Sequence, residues 1–320
     1  MRLPSSSPAA KKPESGIAKL ALGTAQLGLR YGIANRIGKP AADQAVALLR
    51  AARAAGVAAV DTARDYGDAE ELVGRALGDS PETCVVTKLS PLDDLAEGSA
   101  ETEVRARVDD SVERSCLALG RTRLDALLLH RVEHRTSHGG ALWRRLLELK
   151  AQGRIAELGV SVYSPDEARA ALQEQEMTRL QIPFNALDWR WKATGIDALA
   201  RGRKDLTLDA RSALLQGLLA ADAPDWDRAG FDGAPWIAKL ESLSRSFDRE
   251  SRADLCLAYA RAQHWIARVV VGVETQAQLT EAVHLFQRPV LNEDQCARLE
   301  AALSGAPVEL LNPSLWRMRG

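Results

Sequence analysis

Short apolar runs alternate with longer segments of helical periodicity along almost the whole chain, and this alternation restricts the possible folds more than any other feature. There are eight runs, at residues 20–24, 58–62, 84–88, 126–130, 158–162, 180–184, 206–210 and 268–272. Many are apolar at nearly every position, as strands are when both faces of their sheet are covered. Strands that alternate with helices predict an α/β fold with a parallel sheet.

The segments between the runs carry helix boundaries. PAADQAVALLRAARAAG ends at Gly56, as a helix with a C-terminal glycine does, and SPDEARAALQEQ opens with Ser164 as the N-cap, followed by proline. Eight βα units favour a closed (β/α)8, or TIM, barrel over an open doubly wound sheet. Residues 234–247 and 251–263, before the last run, and 292–303, after it, predict extra helices near the C-terminus.

Length and composition are compatible with one large domain. The chain has 320 residues, of which 46% are hydrophobic and 27% charged, and barrels of about 250 residues or more commonly form a single domain. Residues 1–16 are rich in Ser, Pro, Ala and Lys, so we expect a disordered tail there. Residues 17–320 are then expected to form one barrel domain.

Charge and hydropathy argue against two classes of partner. Lys and Arg number 42 against 43 Asp and Glu, so the chain lacks the positive excess of a nucleic-acid-binding protein. No segment approaches the roughly 20 apolar residues of a membrane span, and the N-terminus lacks the apolar core of a secretory signal. The four cysteines have no metal-ligand spacing. We therefore expect a cytoplasmic protein with reduced cysteines; the sequence leaves its oligomeric state open.

Four polar residues fall at or just after the ends of predicted strands. The second run contains Asp61, with Tyr66 five residues later, the third run ends at Lys88, and the fourth ends at His130. In such barrels the C-terminal ends of the strands converge on one mouth. One rim is therefore expected to carry a carboxylate, a phenol, an ammonium and an imidazole.

These four groups suit the addition of hydride to a carbonyl carbon. The carbonyl oxygen then gains negative charge and takes a proton, which Tyr66 can donate. The ammonium of Lys88 would favour the tyrosinate form, and Asp61 would hold that ammonium in place. His130 would hydrogen-bond and orient the carbonyl oxygen. Each residue alone also fits a structural role, such as a helix cap or loop packing, but the set is more specific.

Three further patterns favour structural roles. His130, His134 and His138 recur every four residues, but two glycines follow His138 and disfavour one continuous helix, so no metal site is predicted. No strand is followed by GxGxxG or a Walker sequence. The Trp-rich segment DWRWK, residues 188–192, fits loop packing better than a stacking platform for a sugar.

Motifs along residues 20–286 resemble the aldo-keto reductase family, and the opening GTAQLGLRYGIANRIGKP is most similar to a bacterial branch of it. The family implies a (β/α)8 barrel that uses NADPH, or less often NADH, to interconvert an aldehyde or ketone, including sugars, and its alcohol. It also implies a catalytic tetrad of Asp61, Tyr66, Lys88 and His130. The resemblance is carried by LALGTAQLG, VDTARDYGDAEELVGRALG, VVTKLS, SVERSCLALGRTRLDALLLHR, LLELKAQGRIAELGVSVYS, LQIPFNALD, ARSALLQGLL and VVVGVETQAQL.

The same resemblance implies cofactor contacts around the rim. They fall on Thr24, Ala25, Ser161, Gln181, Arg211, Ser212, Leu214, Gln216, Gly217, Gly272, Val273, Thr275 and Gln278. The chain departs from the family pattern at three places. Val162 stands where Asn is common, Arg211 where an aromatic side chain often lies against the nicotinamide ring, and Glu274-Thr275 where a Lys or Arg usually meets the 2′-phosphate. We therefore expect a weaker preference for NADPH over NADH than the family shows.

Two other functions stay open for such a barrel. It could bind the nicotinamide cofactor as a regulatory or sensing subunit without significant turnover, because a complete tetrad does not guarantee catalysis. It could also be an unrelated phosphate-binding barrel. Titration with NADPH and NADH distinguishes the phosphate-binding barrel from the two functions that need a nicotinamide cofactor. A panel of aldehydes and sugars then distinguishes the oxidoreductase from the sensing subunit.

Overall fold

Eight parallel strands close into a barrel in sequence order in the computed structural model, which describes residues 16–78, 80–93, 95–96 and 98–316. The strands confirm the predicted (β/α)8 fold. Runs 84–88 and 268–272 coincide with strands, and the other six differ from theirs by a few residues at the ends. The strands are β1 Leu20–Gly23, β2 Ala59–Asp61, β3 Cys84–Lys88, β4 Leu124–Leu129, β5 Ile155–Ser161, β6 Met177–Pro183, β7 Thr207–Arg211 and β8 Arg268–Gly272.

Helices connect the strands and cover the outside of the barrel. The three extra helices predicted near the C-terminus are confirmed at Ala234–Ser246, Arg252–Ala262 and Glu293–Leu303. None of the helices in the described residues is both long enough and apolar enough to cross a membrane. The helices are α1 Ala25–Gly28, α2 Ala42–Ala54, α3 Ala69–Leu77, α4 Glu101–Leu119, α5 Ala141–Ala151, α6 Pro165–Leu172, α7 Arg190–Ala193, α8 Ile196–Gly202, α9 Ala223–Ala229, α10 Ala234–Ser246, α11 Arg252–Ala262, α12 Gln276–Gln287, α13 Glu293–Leu303 and α14 Val308–Leu311.

The two helix boundaries predicted in detail are confirmed. After α2, Gly56 has a φ of +92°, and its N–H donates to the Arg53 carbonyl while the Val57 N–H donates to the Ala52 carbonyl. This is the Schellman arrangement that glycine favours at a helix end. At the start of α6, the Ser164 hydroxyl accepts the Glu167 N–H at 3.3 Å, and Pro165 occupies the first helical position.

Alternate residues of each strand face the barrel interior, which brings side chains from distant parts of the chain together. In β3, Cys84, Val86 and Lys88 share this face. Val86 packs in a small cluster with Ala126 and Leu128 of β4. The larger apolar core lies between the barrel and its helices. This alternation places Lys88 at the C-terminal mouth.

The predicted tail, residues 1–16, lies outside the described residues except for Gly16, which begins a short 3-10 helix, Gly16–Lys19. That residues 17–320 form one domain stays a prediction.

Candidate active site

A buried ion pair lies at the C-terminal mouth of the barrel. Lys88 Nζ donates to Asp61 Oδ1 and Oδ2, each at 3.0 Å, and to the Thr62 carbonyl at 2.9 Å. Lys88 is 1% exposed and Asp61 5% exposed. Burial acts to lower the pKa of Lys88, but the charge of Asp61, with smaller contributions from Tyr66, holds it above its ordinary value. Lys88 is therefore an ammonium at neutral pH.

Tyr66 lies directly beside this ion pair. Lys88 Nζ is 4.9 Å from the centroid of the Tyr66 ring. The Tyr66 N–H donates to the Ala63 carbonyl, and its own carbonyl accepts the Ala69 N–H at the start of α3. A Cβ at Gly28 would lie 1.7 Å from the Tyr66 carbonyl oxygen, so only glycine at that position allows α1 to pack against the loop. Local hydrogen bonds and this close approach fix the position of Tyr66.

His130 follows the last residue of β4 and faces the same rim. Burial, followed by the charges of Lys88 and Arg211, lowers its pKa to about 4. Its Nδ1 is buried and has no hydrogen-bond partner among the described residues. The imidazole is therefore neutral at pH 7 and retains unused hydrogen-bonding capacity.

A cavity of about 490 Å³ opens beside Asp61 and Tyr66, within the size range of small-molecule sites. The loops after β1, β7 and β8 form its walls. Lys88 and His130 do not line it directly. Ten of the predicted cofactor contacts do: Thr24, Ala25, Arg211, Ser212, Leu214, Gln216, Gly217, Gly272, Val273 and Gln278.

The predicted contacts Ser161 and Gln181 are buried and do not line the cavity. Gln181 Nε2 donates to Asp61 Oδ1 at 2.6 Å, and the Ser161 hydroxyl donates to Gln181 Oε1 at 3.2 Å. Both residues thereby help to hold Asp61. The sequence reasoning missed this chain of hydrogen bonds, which depends on three strands converging inside the barrel.

Thr275 and Gln278 cap the N-terminus of α12, and Thr275 does not line the cavity. Gln278 Oε1 accepts the Glu274 N–H at 2.7 Å and the Thr275 N–H at 3.1 Å. The Gln278 N–H donates to the Thr275 hydroxyl at 3.2 Å. The spacing T-x-x-Q is the sequence signal of such a capping box, and it had been overlooked. Two amides that could hold a phosphate are thus already bonded.

The loop after β1 supplies cavity residues that had not been predicted, including Tyr31 and Arg36. Arg36 forms an ion pair with Asp225 of α9, on the opposite side of the cavity. A Cβ at Gly217 would lie 2.8 Å from the Ala34 Cβ, so the loops after β1 and β7 touch. Together they form a bridge over the cavity. Its β1 side lies within the segment RYGIANRIGKP, whose glycines and polar residues indicate a loop.

The spaced histidines and the Trp-rich segment do not line the cavity. His134 lies in the 3-10 helix Val132–Arg135 and His138 has a φ of +51°, so the three spaced histidines do not share one helix. Within the described ranges no group of His, Cys, Asp and Glu side chains is placed to hold a metal. In the segment 188–192, Trp191 is fully buried, and the Trp189 indole donates to the Ala306 carbonyl at 3.0 Å. Trp191 therefore packs within the protein, whereas Trp189 is 43% exposed and is held at the surface by this hydrogen bond.

Comparison with known proteins gives a consistent result. The model of the Aldo/keto reductase family matches residues 19–304. An aldo-keto reductase from Strobilurus tenacellus is 30% identical over 57% of this chain and 54% of that protein. A pyridoxal 4-dehydrogenase from Microbacterium luteolum is 26% identical over 87% of this chain and 92% of that protein.

Solved structures share the fold. An aldo-keto reductase from Bacillus halodurans, in its holo form, superposes with a TM-score of 0.72 at 20% identity, covering 89% of this chain and 91% of that one. A glycerol dehydrogenase from Gluconobacter oxydans gives a TM-score of 0.69 at 23% identity, covering 89% and 91%.

Proposed function

The chain belongs to the aldo/keto reductase family and is an oxidoreductase, and from this premise we propose that it interconverts an aldehyde or ketone and its alcohol, with Tyr66 as general acid and base. One observation carries the proposal: the buried Asp61–Lys88 pair, with its ammonium 4.9 Å from the Tyr66 ring, beside a cavity large enough for organic ligands. A lysine without a role in the site would be expected to lie in solvent and not to be buried against a carboxylate.

Each of the four polar groups has a distinct role in this proposal. When bound, the nicotinamide cofactor supplies a hydride to the carbonyl carbon. Tyr66 donates a proton to the carbonyl oxygen in reduction and accepts it in oxidation. The ammonium of Lys88 stabilises the phenolate that remains, and Asp61 keeps that ammonium charged and fixed. The neutral imidazole of His130 hydrogen-bonds the carbonyl oxygen and orients it.

The cavity also fits a dinucleotide. It extends from Tyr66 past the loops after β1 and β7 to Glu274 and Gln278 beside α12. Arg211, Ser212 and Gln216 would line the nicotinamide half, and Gly272, Val273 and Gln278 the other half. Ser161 and Gln181 would not contact the cofactor in this proposal; their hydrogen bonds would hold Asp61 in position.

The choice between NADPH and NADH depends on the end of the cavity near α12. Glu274 and Glu281 line it, and neither has an ion-pair partner in the part of the chain that the structure describes. Burial raises the pKa of Glu274, but a carboxylate there still disfavours a 2′-phosphate. NADPH is accepted in this proposal with little preference over NADH.

Glu274→Arg tests this choice and leaves the Thr275–Gln278 cap in place. We expect the ratio of the dissociation constants to shift toward NADPH by tenfold or more, because charge-assisted hydrogen bonds to phosphate contribute about 1.5–3 kcal/mol. Thr275→Arg should shift it in the same direction while losing the cap, and Thr275→Ser, which keeps the cap, is the control. Wild-type preference for NADPH above about a hundredfold would contradict this proposal, since some other residue would then bind the phosphate.

A carbonyl panel tests the proposed function itself. Reduced cofactor is mixed with the protein and with aldehydes, ketones and sugars, and loss of nicotinamide absorbance is followed. Pyridoxal is included because of the Microbacterium relative, and the oxidation product of glycerol because of the Gluconobacter structure. Turnover with any member supports the proposal. Cofactor binding with no turnover favours a sensing barrel. Failure to bind the cofactor excludes both the oxidoreductase and the sensing barrel.

A further inference from the structure

Arg211 holds a positive charge at the mouth of the barrel in a fixed position. It is the last residue of β7. Its Nε donates to the Ser161 hydroxyl at 3.3 Å and its Nη2 to the Val162 carbonyl at 3.1 Å. The guanidinium lies over the Tyr163 ring, 4.5 Å from its centroid. The ends of β5 and β7 thus hold the guanidinium in place.

The charge of Arg211 has no acidic partner within the described ranges. Its contacts are two hydroxyls, a carbonyl and an aromatic ring, all of them neutral. The other cations nearby differ: Lys88 is paired with Asp61, and Arg131 with Asp93 at 3.2 Å. Asp61, which lines the same cavity, is already bonded to both Lys88 and Gln181, and no ion pair joins Arg211 to Glu274 or Glu281 at the far end of the cavity. Among the described residues the Arg211 charge is therefore uncompensated by any direct ion pair.

This charge acts on the reacting groups. Arg211 lines the same cavity as Asp61 and Tyr66, and its charge contributes to the low pKa of His130, after burial and Lys88. If Tyr66 protonates the carbonyl oxygen, the nicotinamide ring must lie beside that carbonyl, in this part of the cavity. The ring is uncharged when reduced and positively charged when oxidised. A fixed cation repels only the oxidised ring.

We propose that Arg211 determines which redox form of the nicotinamide cofactor the site prefers: its fixed, uncompensated charge makes the reduced form bind more tightly than the oxidised form. The inference rests on the proposed function. The equilibrium of the reaction in solution is unchanged by this, since an enzyme does not alter it. The protein instead captures reduced cofactor and releases oxidised cofactor readily, which suits a carbonyl reductase more than an alcohol dehydrogenase.

Equilibrium titrations test the inference without any substrate. The dissociation constants of NADH and NAD⁺ are measured by quenching of intrinsic tryptophan fluorescence in wild type, Arg211→Met, Arg211→Lys and Arg131→Met. We expect the ratio of the NAD⁺ constant to the NADH constant to be at least about tenfold in wild type, and to fall by at least about fivefold in Arg211→Met. Arg211→Lys retains most of the ratio, because it keeps the charge. Arg131→Met leaves it unchanged, because that charge is exposed and paired.

A role for Arg211 in packing alone would weaken the binding of both forms equally in Arg211→Met, and an unchanged ratio would overturn the inference. An unchanged ratio together with a raised KM for carboxylate-bearing carbonyl compounds would also overturn the inference. Arg211 would then bind an acidic substrate instead. If Arg211→Met does not fold, Arg211→Gln replaces it. Failure of wild type to bind either form would contradict the proposed function, which is a different outcome from an unchanged ratio.

Discussion

Lys88 ends a strand at a position where a lysine side chain usually reaches solvent, yet it is 1% exposed and its ammonium donates to Asp61 and to the Thr62 carbonyl. Removing one partner of such a pair leaves an unpaired charge in the interior. The Asp61–Lys88 pair should therefore matter to stability as well as to chemistry.

Lys88→Met is expected to destabilise the protein by about 3–5 kcal/mol, because Asp61 stays buried without its cation. Activity should fall, and any remainder should have its basic pH limb displaced upward, since the ammonium no longer favours the phenolate. Urea unfolding and pH–rate profiles measure these effects. The double variant Asp61→Leu/Lys88→Met should regain stability but not activity. An unmoved basic limb in an active Lys88→Met enzyme would show that Lys88 does not act on Tyr66.

His130 gives a prediction about acid stability. Its pKa is about 4 in the folded protein and about 6.5 in an unfolded chain. The unfolded state therefore binds the extra proton first as pH falls, so this site has no effect on stability above pH 6.5 and lowers it, by up to about 3 kcal/mol, as pH falls toward 4.

Urea unfolding at pH 7 and at pH 4.5 tests this. His130→Asn should lose less stability than wild type over that interval, whereas replacement of the exposed His264 by Asn should behave like wild type. Equal losses in all three proteins would mean that His130 is protonated at an ordinary pH. The catalytic acid limb should likewise fall well below pH 6.

At this scale the sequence predicts the residue types of the site well, because strand ends in a barrel point to one mouth. The sequence does not predict which side chains form hydrogen bonds or ion pairs with one another. That Gln181 bonds Asp61, or that Arg211 meets only neutral groups, depends on side chains that converge from strands far apart in the chain.

At the scale of elements, the bridge over the cavity joins the loops after β1 and β7. Its ion pair is part exposed: the Arg36 side chain is 57% exposed and that of Asp225 11%. Such pairs contribute at most about 1 kcal/mol. The ion pair therefore adds little to the stability of the closed bridge, and we expect it to influence rates more than affinity.

Arg36→Ala is expected to speed cofactor release two- to fivefold, as loss of at most about 1 kcal/mol implies. Stopped-flow fluorescence with a competing ligand measures the release rate. Lys39→Ala is the matched control: it lies in the same loop but pairs with Asp68, so release should be unchanged. Equal release rates in Arg36→Ala and wild type would show that the ion pair does not hold the bridge closed.

The strand boundaries show why sequence patterns locate elements better than their ends. The predicted apolar runs begin two or three residues after the true starts of β4, β5 and β6. The first residues of these strands include Asp125, Glu157 and Arg179, which interrupt the apolar pattern. These charges are tolerated there because they are paired at the N-terminal end of the barrel. Arg179, for example, donates to Asp209 at 2.7 Å and to Glu157 at 2.8 Å. A local apolar count cannot detect a pairing between different strands.

For the molecule as a whole, the two ends of the barrel differ in whether their charged side chains are paired with an opposite charge. At the N-terminal end, Arg179 and Asp209 neutralise each other in the barrel interior. At the C-terminal end, Lys88 is neutralised by Asp61, while Arg211 is left uncompensated beside the cavity. The alternation of strands and helices predicts the barrel and which end is functional. The choice of substrate depends on loop side chains that the pattern does not specify.

The proposed role of Tyr66 is tested most directly by Tyr66→Phe, with single-turnover oxidation of bound reduced cofactor by an active carbonyl compound as the readout. The variant keeps the ring beside Lys88 and loses only the hydroxyl. We expect the rate to fall by at least about a hundredfold while the cofactor dissociation constant is nearly unchanged. Tyr163→Phe, which keeps the ring beneath Arg211, should stay close to wild type. A near-normal rate in Tyr66→Phe would contradict the assignment of Tyr66 as the proton donor.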